Sequence, residues 1–308
     1  MTLSARGHDR RRVLIGAAST LRKDRSANMS SITSLGNSAA GNPSEGPHVQ
    51  RGLLRSKVPE ITAAFWILKL ITTAMGEAAS DYLLGAFSYL GLGIGVAGFG
   101  FTLWLQFRTR CYQPVVYWAA VSMVAVVGTM VADLIHSEFG VPLVVSTLSC
   151  GAALTLTFFV WHRTEGTLAI HSITTRRREV FYWLTVSFTF ALGTAAGDFT
   201  ADQLGLGFVG SIVLFAVMMT VPALGHWQLR LNGVAAFWFA YILTRPLGAS
   251  IADWLSKPAR HGGAGYGDGP VAAVLLTAFT VALAITCLRR TITSRAPVRR
   301  LDTAECPR

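Results

Sequence analysis

GEAASD, residues 76–81, closes a run apolar enough to cross a bilayer, yet it carries two carboxylates that a bilayer disfavours. The hexapeptide returns in degenerate form as GTMVAD at 128–133, GDFTAD at 197–202 and GASIAD at 248–253, each time near the end of an apolar run. The shared pattern is Gly, three residues, Ala or Ser, then Asp. The first and third Asp lie 121 residues apart and the second and fourth 120, which reads as duplication of a unit of two hairpins. An even number of crossings separates any two copies, so all four run the same way through the membrane, as parallel rather than inverted repeats.

Around these motifs the composition is that of an integral membrane protein: 308 residues, 52% hydrophobic, 14% charged, mean hydropathy +0.46. Apolar runs of about 20 residues, the length that crosses the hydrocarbon core, can be placed near 58–80, 86–107, 114–136, 141–162, 179–202, 205–229, 232–254 and 269–289. The expected fold is all-α, with about eight transmembrane helices as four parallel hairpin repeats, the odd helices forming the inner set. A basic, disordered N-terminal tail is expected over 1–56, the transmembrane domain over 57–290 and a basic C-terminal tail over 291–308.

The net charge of +11 does not point to nucleic acid, because 23 of the 27 Lys and Arg fall in the two tails and alternate loops, against two in the intervening loops. By the positive-inside rule both termini are cytoplasmic, and the basic surface faces anionic lipid heads. Cys111, Cys150, Cys287 and Cys306 form neither a CxxC metal site nor a disulfide framework. The stretch RRRVLIGAAST at 10–20 has a twin-arginine look, but Arg22, Lys23 and Asp24 cut its apolar part short. Met29 offers an alternative start.

The runs at 57–83, 179–207 and 237–258, the last followed by Gly262-Gly263, resemble a bacterial family of multi-pass proteins described as uncharacterised membrane-anchored proteins and built from a short repeat of unknown function. The resemblance covers about 57–290, is weakest in the second repeat and leaves out the first 56 residues. It implies an inner-membrane protein and brings no established activity.

Each motif residue has a structural and a functional reading. The pairs Gly76/Ser80, Gly128/Ala132, Gly197/Ala201 and Gly248/Ala252 are small residues one turn apart, the pattern that lets transmembrane helices approach closely. Asp81, Asp133, Asp202 and Asp253 end their helices and either bond backbone amides of the next turn or serve a site. Glu77 and Asp198 lie one turn deeper, where burial costs about 2.5–3.5 kcal/mol per charge on insertion scales, and these favour function. Lys69 and Arg245, in the middle of their helices, call for partners inside the protein, by the plain reading a carboxylate on a neighbouring helix. Asp133-x-x-His136, with Glu138 nearby, is a weak metal signal, and which metal it would take is unknown. Trp66, Trp104, Trp118, Trp183 and Trp238 suit interfacial belts or bundle packing.

Taken together, Glu77, Asp81, Asp133, Asp198, Asp202 and Asp253 with nearby Thr and Ser form an oxygen-rich set suited to hard cations or protons. The expectation is a secondary transporter of a cation or small cationic solute, proton-coupled through Glu77 and Asp198, with Lys69 and Arg245 as internal counter-ions. The alternative is a non-transporting scaffold or sensor. Neither G-x-S-x-G nor HExxH occurs, so no enzyme activity and no cofactor are expected.

Overall fold

The structure, a computed structural model, describes residues 56–228 and 232–295. The tail expected over 1–56 (apart from Ser56), the twin-arginine stretch, Met29, Arg230 and the tail beyond residue 295 lie outside the described residues.

Seven α-helices make up the described fold, and no strand occurs among the described residues: α1 (Ala63–Arg108), α2 (Pro114–Ser137), α3 (Leu143–Glu165), α4 (Arg176–Asp198), α5 (Gly207–Gln228), α6 (Gly233–Ser256) and α7 (Asp268–Arg295). A π-helical turn, Phe199–Gln203, follows α4. Six of the seven, all but α5, are long and apolar enough to cross a membrane. Local chemistry sets several ends: the Thr62 hydroxyl accepts from the Phe65 amide at 3.3 Å, Thr175 from Arg178, and Asn232 from Val234, while Pro114 opens α2.

The first two expected helices, 58–80 and 86–107, are continuous here as α1. Its 46 residues are broken at Ser88, with φ 48° and ψ −125°. Gly91 lies against the Leu83 carbonyl, and a Cβ there would be 2.8 Å from the carbonyl carbon. Eight residues of straight helix would separate them by about 12 Å, so α1 folds back on itself and has two arms.

The first arm of α1, with α2, α4 and α6, closes a ring: α1 packs on α2, α2 on α4, α4 on α6, and α6 on α1. These are the odd-numbered helices of the sequence reading, and their buried faces hold most of the core. The second members of the pairs stand outside, but each leans on the next repeat. α3 packs on α4, α5 on α6 and α7 on α1, whereas α3 and α7 barely touch the helices that precede them. Aromatic anchoring accounts for the step sideways at α3: its fully buried Trp161 stacks on Phe181 of α4 and meets Trp238 of α6 at 5.8 Å between centroids.

An aromatic collar closes the N-terminal end of the ring. Phe65-Trp66, Tyr117-Trp118, Tyr182-Trp183 and Phe237-Trp238 occupy equivalent places on the four inner helices. The first ring of each pair meets the tryptophan of the next helix: Phe65 with Trp118 at 5.7 Å, Tyr117 with Trp183 at 5.8 Å, Tyr182 with Trp238 at 6.2 Å, and Phe237 back to Trp66 at 5.8 Å. Such pairs contribute about 0.5–1.5 kcal/mol each beyond the area they bury. Inside the collar the Tyr117 and Tyr182 hydroxyls share a 2.5 Å hydrogen bond. Trp118, Trp183 and Trp238 are therefore bundle packing, while Trp104 is half exposed. Beside the collar, Lys57 Nζ reaches Glu179 Oε2 at 2.6 Å in a buried pair that the sequence reading missed. Against the expectation of no disulfide, Cys111 is disulfide-bonded, while Cys150 and Cys287 are free.

Candidate functional site

One glycine per inner helix sets the close approach, and each glycine faces the residue three before the glycine of the next helix. Gly76 meets Ala125, Gly128 meets Phe190, Gly193 meets Arg245 and Pro246, and Gly248 meets Thr73 and Ala74. A Cβ on Gly128 would stand 2.8 Å from Phe190 Cβ, and one on Gly248 would stand 2.7 Å from Thr73 Cβ. The glycine in register on α4 is thus Gly193, eleven residues after Tyr182, as Gly76, Gly128 and Gly248 follow Phe65, Tyr117 and Phe237.

This corrects the third copy of the motif. The in-register hexapeptide is GTAAGD at 193–198, not GDFTAD at 197–202. Gly197 takes the small-residue place held by Ser80, Ala132 and Ala252, and Asp198 takes the acid place held by Asp81, Asp133 and Asp253. Asp202 falls one turn outside, exposed on the π-helical turn. Ala201 is buried on the same turn. The sequence reading slipped because Gly-x-x-x-Gly-Asp at 193–198 runs directly into a second Gly-x-x-x-Ala-Asp.

The position after the glycine holds Glu77, Thr129, Thr194 and Ala249, and Arg245 draws the first three together. Its Nη2 lies 2.5 Å from Glu77 Oε2 and 2.6 Å from Thr194 Oγ1, and also donates to Thr129 Oγ1, itself 3.1 Å from Glu77 Oε2. Arg245 is fully buried and Glu77 3% exposed. The expected mid-membrane ion pair is present, and it joins α6 to α1, α2 and α4. Nε and Nη1 of Arg245 have no hydrogen-bond partner among the described residues.

Lys69 differs from expectation. No carboxylate reaches it; its Nζ has no hydrogen-bond partner among the described residues and stands 4.0 Å from the ring centre of Phe190 and 4.1 Å from that of Tyr241. Two π faces take the place of the anion, because at this level the neighbouring inner helices present rings and Glu77 is already bound to Arg245.

Beyond the Arg245 network, Asp81, Asp133, Asp198 and Asp253 form an acid layer at the C-terminal ends of the inner helices. Carboxylate oxygens of Glu77, Asp81 and Asp253 lie within 4.8 Å of one another. Asp253 is 7% exposed and the other three Asp are partly exposed. Asp81 is bound by Lys257, with Nζ 2.5 Å from Oδ2. Among the described residues the side chains of Asp133, Asp198 and Asp253 have no hydrogen-bond or ion-pair partner, so they do not bond the amides of the following turn. Asp133, His136 and Glu138 are not among the carboxylates and imidazoles that gather within metal-binding reach of one another in the described residues, and His136 Nδ1 lies 2.9 Å from the Val141 carbonyl.

The comparison with known families bears on the register. The family described as Repeat of Unknown Function (DUF347) matches residues 116–167, 181–230 and 236–291. The chain belongs to this repeat family. No curated protein and no solved structure matches it. Each matched DUF347 repeat begins one residue before Tyr117, Tyr182 or Phe237, which places Gly128, Gly193 and Gly248 at the same point of the repeat. The second unit, expected to be the weakest, is matched, whereas 57–115 is not. That segment still carries the DUF347 spacing, with Phe65-Trp66 eleven residues before Gly76 and Asp81 five residues after it.

Proposed function

We propose that this DUF347 protein is a secondary transporter of a cation or small cationic solute, coupled to protons. It would make eight crossings of the bacterial inner membrane, α1 contributing two, with both termini cytoplasmic. One observation carries the reading: four symmetry-equivalent aspartates line one end of a closed helix ring, three of them without a hydrogen-bond or ion-pair partner among the described residues, while an aromatic collar closes the other end. Such an acid layer suits hard cations through its oxygen ligands, and the closed collar fits the one-sided access that alternating transport requires. Arg245 competes with the substrate for Glu77, and Asp198, which has no ion-pair partner among the described residues, carries the proton.

The scaffold or sensor alternative draws on the same Arg245 network, which holds α1, α2, α4 and α6 together and would serve a purely structural lock equally well. Flux in proteoliposomes separates the two. Asp198→Asn is expected to abolish cation-driven proton movement while the protein still accumulates, and Glu77→Gln combined with Arg245→Met, which removes both charges of the buried pair, is expected to do the same. Full flux in the Glu77→Gln, Asp198→Asn double variant would remove both residues from the transport path.

The orientation has its own measurement. In a cysteine-free background, a cysteine at position 260 should react with an impermeant maleimide from outside the cell and a cysteine at position 176 only after the membrane is opened. The reverse pattern would invert the topology, because Lys257 and Arg260 belong to the sparsely charged side and Arg176 to the basic one.

A further inference from the structure

Lys257 directly follows the last turn of α6, and its side chain turns back over the acid layer. Nζ is 2.5 Å from Asp81 Oδ2 on α1 and 3.3 Å from Asp268 Oδ1 at the start of α7. Asp81 is also one of the three carboxylates that lie within 4.8 Å of one another. The ammonium therefore stands against one of the oxygen ligands that this cluster would offer a cation.

We propose that Lys257 is a tethered cation that occupies the mouth of the acid layer, and that a mobile cation gains Asp81 and Asp253 by displacing it toward Asp268. The proposal rests on the cation-binding reading of the same layer and adds the group that controls access to it. The backbone at Lys257 is held by the loop that follows α6. The loop after α6 folds onto the helix end through Tyr266 N to Leu255 O at 3.1 Å, Gly267 N to Ser256 O at 3.0 Å and Gly265 N to Lys257 O at 2.9 Å. Gly263 passes so close that a Cβ would stand 2.7 Å from the Lys257 carbonyl carbon. The side chain itself is 30% exposed, so water and dissolved ions reach it.

The two acids give Lys257 a bound position on either side of the exchange. Asp81 belongs to the acid layer and Asp268 begins α7, so the ammonium keeps a carboxylate when it leaves Asp81. Burial pulls this ammonium down, but Asp81, Asp253 and Asp268 together outweigh burial and hold it above the ordinary lysine range. Lys257 is thus charged at physiological pH and competes as a full cation.

The test is Mn2+ binding to the purified full-length protein in detergent, read from the loss of the free-ion electron paramagnetic resonance signal. Lys257→Met and Lys257→Gln are each expected to tighten Mn2+ binding by about two- to fivefold, the scale of one partly exposed ion pair removed from competition. Lys257→Arg, which keeps the charge, should bind like the unsubstituted chain. Two variants of different polarity guard against a fold defect in either. Equal or weaker binding in both neutral variants, or tightening by Lys257→Arg as well, would overturn the tethered-cation role while leaving the acid layer as a cation site. Absence of Mn2+ binding in every form, with all forms folded, would instead overturn the cation-site reading itself.

Discussion

Arg245→Met is expected to cost about 3–5 kcal/mol of stability and most of the yield of folded protein, because it strands the Glu77 carboxylate at 3% exposure, with the Thr129 hydroxyl 3.1 Å from it. The loss comes from removing one partner of a buried pair. A change that removes both charges should recover much of it, so Arg245→Met with Glu77→Gln is expected to accumulate and to melt close to the unsubstituted protein. Arg245→Lys is not a mild change here: one guanidinium nitrogen reaches groups on three helices, and a lysine ammonium begins from a different point and lacks the planar fork. The measurement is detergent-solubilised yield and thermal unfolding for the single and double variants. A single Arg245→Met that melts like the unsubstituted protein would mean that the pair does not hold the ring together.

The second large effect is expected at the crossing glycines. Gly76→Val, Gly193→Val and Gly248→Val should each prevent closure of the inner ring. At Gly193 a Cβ would lie 2.6 Å from Arg245 Cβ and 3.0 Å from Pro246 Cδ, and at Gly76 it would lie 3.1 Å from the Ala125 carbonyl carbon. Neither neighbour can yield, since one is the root of the buried Arg245 and the other is backbone. Overpacking alone costs about 1–3 kcal/mol, and separating the helices here would also draw the Arg245 network and the aromatic collar apart. Gly100→Val is the internal control, because nothing lies within 4 Å of a Cβ there. Equal accumulation of Gly248→Val and Gly100→Val would show that the inner helices have slack at their crossings. The largest fall is expected for Gly193, where the same change disturbs Arg245 directly.

Much of this was legible in the sequence, for identifiable reasons. Small residues at Gly76, Gly128 and Gly248 carry a local pattern, and the apolar runs between them fix the helices to within a few residues. The mid-membrane charges were visible as anomalies, but their partners were not. Arg245 and Glu77 are 168 positions apart, and nothing local specifies which acid a buried arginine will meet. Lys69 was misjudged because a cation in an apolar segment suggests an anion, whereas the neighbouring helices offer the faces of Phe190 and Tyr241. The third copy slipped by one turn because two overlapping glycine-to-acid patterns compete between 193 and 202. The aromatic pairs eleven residues upstream would have settled the register, had they been treated as part of the repeat instead of as interfacial residues. That each outer helix rests on the following repeat had no sequence signal, since outer faces toward lipid and toward a neighbouring helix are equally apolar.

The lean of each outer helix onto the next repeat has a consequence for biogenesis. α7, the last helix to leave the ribosome, covers the first arm of α1, and Phe237 of the last repeat completes the collar on Trp66 of the first. Until translation has delivered the C-terminal repeat, the nascent chain holds α1 in the membrane with Lys69 and Glu77 unshielded and Arg245 not yet made. Contacts of such long sequence separation form late. Earlier repeats must therefore wait in the bilayer as an open arc, and a message truncated before residue 233 would yield an arc that never closes.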